Sequence, residues 1–358
     1  MAVGITLAAI ALGEYRPHTF LKGDCPYYAA AALSILQDGD FNLKNQIRGG
    51  LEVHSTQVAL GTRGEWFPKH PVLMPLVSLP FFALFGLDGA LVFNLVVVLS
   101  LFFLLVRIAD RFTTPPAASL AALLVLFATF LPSYVYNYSP DLFGSLLVVA
   151  GLALLFGGRS TLAGMVLAGA VWAKLPNGIF FAGAGVYLLS GRGWRQGRDF
   201  LLGGLPIFLL VAGLQQYMFG APWLTGYDRT LALADGVSSL VTHRQFFDYP
   251  FWKGFREQLF LPGRGILTTS PLLWLALPGS ILFWRQRPRE ATLILSTCTA
   301  LFLLFCKYRY WSLSHSGNRF LFPLICLSVI PLSYLVEVLR RGPSGKKFSA
   351  VAGWGKVP

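Results

Sequence analysis

The chain has 358 residues, of which 55% are hydrophobic and 13% are charged, and its formal net charge is +13. A soluble domain carries roughly twice that share of charged residues, so the composition excludes an ordinary soluble enzyme. Because no soluble basic domain is evident, the positive charge indicates membrane orientation and lipid contact and argues against a nucleic-acid partner. We therefore expect a polytopic membrane protein.

Apolar segments close to the ~20 residues that cross a bilayer recur along almost the whole chain. They predict about ten transmembrane helices, in chain order at 1–13, 89–106, 117–134, 140–157, 161–173, 176–190, 200–219, 265–284, 291–306 and 320–338. The predicted fold class is an all-α polytopic membrane domain over residues 1–340, followed by a polar cytoplasmic tail at 341–358.

The distribution of Lys and Arg residues predicts the orientation of the helices in the membrane. The turns GRGWRQGR at 191–198 and RQRPR at 285–289, and the tail, are rich in these residues and poor in acids, as cytoplasmic segments are. The segments 14–88 and 220–264 then form two large outer loops. The pattern predicts a multi-pass protein whose polar chemistry lies on the extracytoplasmic face.

The run HPVLMPLVSLPFFALFG at 70–86 is apolar but short. Three prolines, Pro71, Pro75 and Pro80, are expected to interrupt its helical hydrogen bonds. Counting the run as a span would also place the following Arg-rich turns outside. We predict a helix or helix pair that lies in the outer membrane interface.

The first outer loop contains a polar, acid-bearing stretch, KGDCPYYAAAALSILQDGDFNLKN at 22–45. Asp24 stands two residues before Pro26, so its carboxylate is placed to cap the helix that follows. In the alternative interpretation, the carboxylate takes a proton from an acceptor hydroxyl at the membrane surface. The residues alone leave both interpretations open.

Several short motifs occur in a characteristic order. G-D-x-P-Y-Y, which contains Tyr27 and Tyr28, precedes D-G-D, N-Q and K-H-P, and LPGRGILTTSPLLWLALPG (261–279) and GNRFLFPL (317–324) follow. This order resembles the GT-C superfamily of membrane glycosyltransferases, particularly its protein O-mannosyltransferase-like and lipid A aminoarabinose transferase-like branches. The resemblance implies a polyprenyl-phosphate-sugar donor, an acceptor reached from the outer face, and an acidic residue in the first outer loop. Many relatives carry an Asp-Glu pair in that loop, whereas this chain has Cys25 at the second position.

With this resemblance, Asp24 is the predicted catalytic base. Arg264, which stands between Gly263 and Gly265, and Arg319 are predicted to bind the donor phosphate, since Arg grips phosphate through two parallel charge-assisted bonds. Simple anchoring of these cations to lipid headgroups is the alternative. The leaving group needs cations more than it needs an acid.

Other polar residues at the outer ends of the apolar segments are further candidates. An acid at a helix N-terminus and a Lys that reaches the membrane surface also have purely structural explanations. These candidates are Tyr27, Tyr28, Lys69, His70, Asp141, Lys174 and His315. No cluster of His, Asp, Glu or Cys has metal-ligand spacing, so we expect no metal and no cofactor.

The predicted function is an inverting glycosyltransferase that moves a sugar from a polyprenyl-phosphate donor to an acceptor. The acceptor, which is a glycan, a lipid or a protein, is not specified by the sequence. Membrane lipids and other membrane proteins are the remaining predicted partners, and the location is the inner membrane of a bacterial cell. Two alternatives stay open: a non-catalytic GT-C-like subunit, for which Cys25 argues, and a lipid-linked sugar transporter or flippase.

Overall fold

A computed structural model describes residues 23–48, 57–191, 193–234, 237–242, 246–313 and 317–341. Helices make up 73% of the structure. The predicted span at 1–13 and the tail from residue 342 onward lie outside the described residues, as does His315.

The α-helices follow one another with short turns that contain Gly and Pro. In chain order they are α1 Cys25–Gln37, α2 Lys44–Arg48, α3 Leu73–Phe85, α4 Gly89–Ala109, α5 Pro115–Phe127, α6 Pro140–Phe156, α7 Ser160–Ala173, α8 Gly178–Gly191, α9 Trp194–Phe219, α10 Phe251–Phe260, α11 Ile266–Thr269, α12 Leu273–Gln286, α13 Pro288–Cys306, α14 Phe322–Leu327 and α15 Val329–Arg341. Every predicted span beyond residue 88 coincides with one helix or with consecutive helices.

Among the described residues, four helical segments are long and apolar enough to cross a membrane. They are Leu73–Ala109, Trp194–Phe219, Pro288–Cys306 and Arg319–Arg341. Four other apolar helices are shorter, namely Pro115–Phe127, Pro140–Phe156, Ser160–Ala173 and Leu175–Gly191. A multi-pass helical fold follows, although ten crossings are not established.

The proline-containing run at 70–86 forms α3, which continues through Pro80 without a break, contrary to the predicted interruption. Ser78 donates its hydroxyl proton to the Pro75 carbonyl 2.9 Å away. The chain then turns at Gly86, whose φ of +57° favours glycine. Gly89 lies against α3, since a Cβ added there would be 2.3 Å from the Phe81 carbonyl oxygen. Helices α3 and α4, which this turn connects, therefore pack closely against each other.

The structure corrects the all-α prediction, because the two predicted outer loops contain strands. These are β1 Val58–Leu60, β2 Trp66–Pro68, β3 Thr230–Ala234 and β4 Val237–Val241. They form one antiparallel sheet in the order β2-β1-β3-β4, in which Val58 pairs with Leu231. The pairing of β1 with β3 joins segments about 170 residues apart (231 minus 58) and holds the two loops together.

Small residues allow the apolar helices to approach one another. A Cβ added at Gly164 in α7 would lie 1.9 Å from the Phe200 carbonyl oxygen, and one at Gly203 in α9 would lie 2.0 Å from that of Thr161. Such small-residue contacts let backbones pack closely where lipid provides no hydrophobic drive for association. One large apolar core fixes the helix ends that carry the polar site.

Candidate functional site

Four charged residues from distant parts of the sequence form a chain of ion pairs. The Arg319 Nη2 atom donates to Asp24 Oδ2 at 2.5 Å, and its Nε atom lies 3.5 Å from Asp141 Oδ2. The Lys174 ammonium forms an ion pair with the other oxygen of Asp141. The Asp141 side chain is only 3% exposed, and the other three are 16% to 21% exposed. Two carboxylates and two cations thus alternate in a largely desolvated cluster.

Each member of this cluster stands at the end of a helical element. Asp24 precedes α1, and Asp141 lies in the first turn of α6, where Ser139 donates a hydrogen bond of 2.9 Å to its carboxylate. Lys174 follows α7, and Arg319 begins the short 3-10 helix Arg319–Leu321 before α14. The apolar packing of these helices brings the four ends together.

Asp24 occupies the N-cap position of α1 but makes no side-chain cap hydrogen bond. Its carboxylate is directed to Arg319 instead. Burial alone would raise the pKa of Asp24, but the neighbouring charges of Arg319, His70 and Lys69 outweigh burial and hold the pKa below its usual value. The carboxylate therefore stays ionised at neutral pH, which a proton acceptor requires.

Lys69 and His70 follow strand β2 and lie beside Asp24. Burial lowers the pKa of Lys69 to about 8, while the nearby Asp24 charge opposes that shift. The His70 ring stacks on Tyr28 with 5.0 Å between ring centroids, and its Nδ1 atom lies 3.0 Å from the Tyr227 hydroxyl. The structure thus brings these two basic residues to the same place as Asp24.

The two tyrosines of the first motif have different surroundings. Tyr28 faces His70 and the main core, where its ring also meets Tyr138 edge to face. Tyr27 instead packs in a separate cluster with Leu43 and the strand residue Val58. Tyr28 therefore borders the charged cluster, and Tyr27 supports the sheet.

Arg264 is held in a different set of contacts from the four-residue cluster. Its Nη1 atom donates to the Ser312 carbonyl oxygen at 2.5 Å. Gly263 beside it has a φ of +70°, a conformation that glycine accepts without strain. The bond from Arg264 to Ser312 connects the loop that follows α10 to the segment between α13 and α14.

Two residues border the site without having been selected from the sequence as site residues. Burial raises the pKa of Tyr227 above its usual value and that of Tyr308 to about 12, and the Asp24 charge adds to both shifts. Both rings are thus electrostatic neighbours of Asp24. Nothing in the local sequence of Tyr227 indicates this, because β1–β3 pairing brings its loop to His70. Tyr308 reads from sequence as an interfacial aromatic residue.

A cavity of about 190 Å³ is lined in part by Lys69, His70 and Tyr227. Its remaining wall is mostly apolar and comes largely from α7 and α9. These lining side chains include Val171, Trp172, Phe208, Val211, Leu214 and Met218. The arrangement provides a mostly apolar cavity whose lining includes the Lys69 side chain. Across the described ranges, no group of three or more His, Cys, Asp or Glu residues is placed to hold a metal ion.

The fold and this site define a class: a multi-pass helical membrane protein with a buried charge cluster where its helices end. Among solved structures, the chain is similar to ArnT from Cupriavidus metallidurans bound to undecaprenyl phosphate. The TM-score is 0.62 at 16% identity, over 95% of this chain and 60% of that chain. The same protein in the apo state gives a TM-score of 0.58 at 15% identity, over 95% and 59% of the two chains.

ArnT is an aminoarabinose transferase of the GT-C family, so these matches confirm the predicted resemblance for the fold. The chain spans about 60% of the length of these solved chains. No family model and no curated protein sequence matches it.

Proposed function

We propose that this protein is a membrane glycosyltransferase that moves a sugar from a polyprenyl-phosphate donor to an acceptor on the extracytoplasmic face. The observation that carries the proposal is the Asp24 carboxylate, held by Arg319 and flanked by Lys69 and His70. This cluster combines one ionised base with cations suited to a phosphate. It occurs in a fold whose solved neighbour is bound to undecaprenyl phosphate.

In the proposed reaction, Asp24 accepts the proton of an acceptor hydroxyl while the hydroxyl oxygen attacks the sugar C1 atom. The bond from C1 to the phosphate oxygen breaks on the opposite face, which inverts the configuration, and the polyprenyl phosphate leaves with the bonding electrons. Proton transfer of this kind contributes roughly 10²–10⁴-fold to a rate. No metal or cofactor enters the proposed step.

The cations have two tasks in this proposal. Lys69, His70 and Arg319 contact the donor phosphate, so the charge that develops on the leaving group is stabilised without reorganisation. When the phosphate takes bonds from Arg319, the Asp24 carboxylate loses part of its strongest partner and its pKa rises. Donor binding thus makes Asp24 a better base. Asp141 holds Arg319 on its other side and is itself paired with Lys174.

The apolar cavity supplies a place for the first isoprene units of the donor. Its lining includes Lys69, which lies next to Asp24, and its other walls are largely side chains of α7 and α9 that lipid tails contact favourably. Arg264 remains a predicted phosphate contact from the sequence, while its described bond is to the Ser312 carbonyl oxygen.

The proposal is tested by sugar transfer from a labelled polyprenyl-phosphate donor to membrane glycan and lipid acceptors. Purified wild-type protein should transfer label, and Asp24→Asn should lower kcat by roughly 10²–10⁴-fold while the donor still binds. Asp199→Asn is the matched control, because Asp199 is exposed and pairs with the adjacent Arg198, which belongs to an Arg-rich turn and not to the charge cluster. Equal activity of both variants would eliminate Asp24 as the base.

A non-catalytic lipid-binding subunit is the second candidate, and one observation favours it. Cys25 fills the position of the second acid and is fully buried, so a single carboxylate remains in this motif. Tight binding of undecaprenyl phosphate without transfer of any labelled sugar would support that alternative. Movement of labelled lipid between vesicle leaflets would support a flippase.

A further inference from the structure

Described residues on both sides of 314–316, namely Ser312 on one side and Gly317 and Asn318 on the other, are tied to the segment that contains α10. Arg264 Nη1 donates to the Ser312 carbonyl oxygen at 2.5 Å. The Gly317 amide donates to the Gly263 carbonyl oxygen at 3.4 Å. Asn318 Nδ2 then donates to Gln258 Oε1 at 2.8 Å. We infer that Gln258 and Arg264 are positioning residues that fix Arg319 against Asp24.

The bond between Gln258 and Asn318 reaches the backbone of Arg319 through one side chain. Asn318 precedes the short helix Arg319–Leu321, and its Oδ1 atom accepts the Phe320 amide proton at 3.1 Å. Gln258 and Asn318 are both fully buried. The orientation of the Asn318 side chain therefore determines where the first turn of this helix begins, and hence where the Arg319 guanidinium lies.

The burial of Gln258 is not explained by its contribution to stability. Its Nε2 atom is buried and has no hydrogen-bond partner among the described residues, and such an atom destabilises a fold. Gln258→Leu removes this lone donor but deprives Asn318 Nδ2 of its acceptor. The two effects oppose each other, so thermal stability should change little while the position of Arg319 changes.

Arg264 acts at Ser312, which precedes Arg319 in the chain. Its guanidinium bonds a main-chain carbonyl, and any compact cation of similar reach also provides that bond. Phosphate binding would instead depend on the two-pronged geometry of Arg. Arg264→Lys therefore separates the two roles: it preserves a contact with Ser312 but impairs a bidentate phosphate contact.

The first measurement is hydrogen exchange of the amides of residues 318–321, which does not depend on enzymatic activity. Gln258→Leu and Arg264→Ala should each raise the exchange rate of the Phe320 amide at least about tenfold. Such an increase means that the equilibrium constant for local opening has risen about tenfold. Arg264→Lys should restore slow exchange. Thr297→Val is the matched control, since this buried hydroxyl donates to the Leu293 and Ile294 carbonyls of its own helix.

The second measurement uses sugar transfer, and it alone rests on the proposed function. A misplacement of about 1 Å costs up to about 10²-fold, so Gln258→Leu should lower kcat by 10-fold to 100-fold at an unfolding temperature close to that of Thr297→Val. Combining it with Arg319→Ala should lower kcat no further than Arg319→Ala alone, because Gln258 acts through Arg319.

Unchanged exchange at 318–321 in Gln258→Leu would overturn the inference for Gln258. Unchanged exchange in Arg264→Ala, with undecaprenyl phosphate binding at least tenfold weaker, would overturn it for Arg264 and identify a phosphate contact instead. A wild-type protein that transfers no sugar would refute the proposed function, while the exchange rates would still decide whether these residues position Arg319.

Discussion

At the scale of single residues, the Asp24 carboxylate could either cap α1 or pair with Arg319, and the structure shows the second. Its position before Cys25 and Pro26 is that of a helix cap, yet α1 begins without a bond from the carboxylate to its amides. Pro26 lacks an amide proton, which already reduces the need for a cap at this end. The carboxylate is thereby available to Arg319, 295 residues away in the sequence.

The lowered pKa of Lys69 makes a prediction about pH. Because burial lowers this pKa to about 8, the free protein loses the Lys69 charge as the pH rises through 8 rather than near 10.5. The kcat/KM for the donor reports groups of the free enzyme, so it should fall above about pH 8. Lys69→Arg should remove this alkaline limb, since Arg stays protonated. An identical limb in both proteins would assign it to another group.

All four members of the charge cluster were predictable as candidates, but their pairings were not. Asp24, Asp141, Lys174 and Arg319 each lie where an apolar segment meets a polar one, and such junctions are visible in the sequence. Which cation meets which carboxylate depends on helix packing over distances of 33 to 295 residues. Tyr227 was missed because only the sheet brings it to His70.

At the scale of elements, the strands were the main surprise. Each has three to five residues, too few for an alternating pattern to stand out from an irregular loop. The helix at 73–85 was expected, but its continuity through Pro80 was not. Pro80 removes one donor from the helix, and packing against α1 and α4 tolerates that loss.

The close contact between Gly226 and the backbone of Lys69 allows a prediction about a glycine substitution. A Cβ added at Gly226 would lie 2.4 Å from the Lys69 carbonyl oxygen, so Gly226→Ala must displace the backbone that carries Lys69. We expect weaker donor binding by at least about tenfold, the scale of 1.4 kcal/mol. Gly213→Ala is the control, because a Cβ there meets nothing within 4 Å. Donor affinity measured by a lipid-binding assay distinguishes the two, and equal affinities would contradict a tight contact at Lys69.

At the scale of the whole molecule, the predicted topology assigns the Arg-rich turns and the two large loops to opposite sides of the membrane. The four native cysteines, Cys25, Cys298, Cys306 and Cys326, are all buried. They should therefore react little with a thiol reagent, so that labelling reports a single introduced cysteine. Arg195→Cys should react with a membrane-impermeant thiol reagent only from the cytoplasmic side. Lys253→Cys, at an exposed position of α10, should react only from the outside. Labelling of both from one side would refute the topology.

Apolar spacing predicted the helical membrane fold because lipid-facing helices need long apolar runs, a requirement that is local in sequence. The number of crossings does not follow from apolar spacing alone, since several helices are shorter than a bilayer is thick. Pro115–Phe127 has 13 residues and Ser160–Ala173 has 14, and they pack against longer neighbours such as α4 and α9. Tertiary packing, which the sequence pattern does not contain, determines how far each one crosses.

The whole fold should be stabilised by the lipid that the site is proposed to bind. Undecaprenyl phosphate at about 100 times its Kd should raise the free energy of unfolding by about 2.7 kcal/mol, because a ligand that binds only the folded state shifts the equilibrium by mass action. Undecaprenol, which has the same chain without the phosphate, should give a much smaller rise in Tm, since the apolar cavity is then the sole contact. Lys69→Gln should reduce the phosphate-dependent part while it leaves the effect of undecaprenol in place. If the two lipids raised the Tm equally in wild-type protein, the protein would recognise the isoprene chain and not the phosphate.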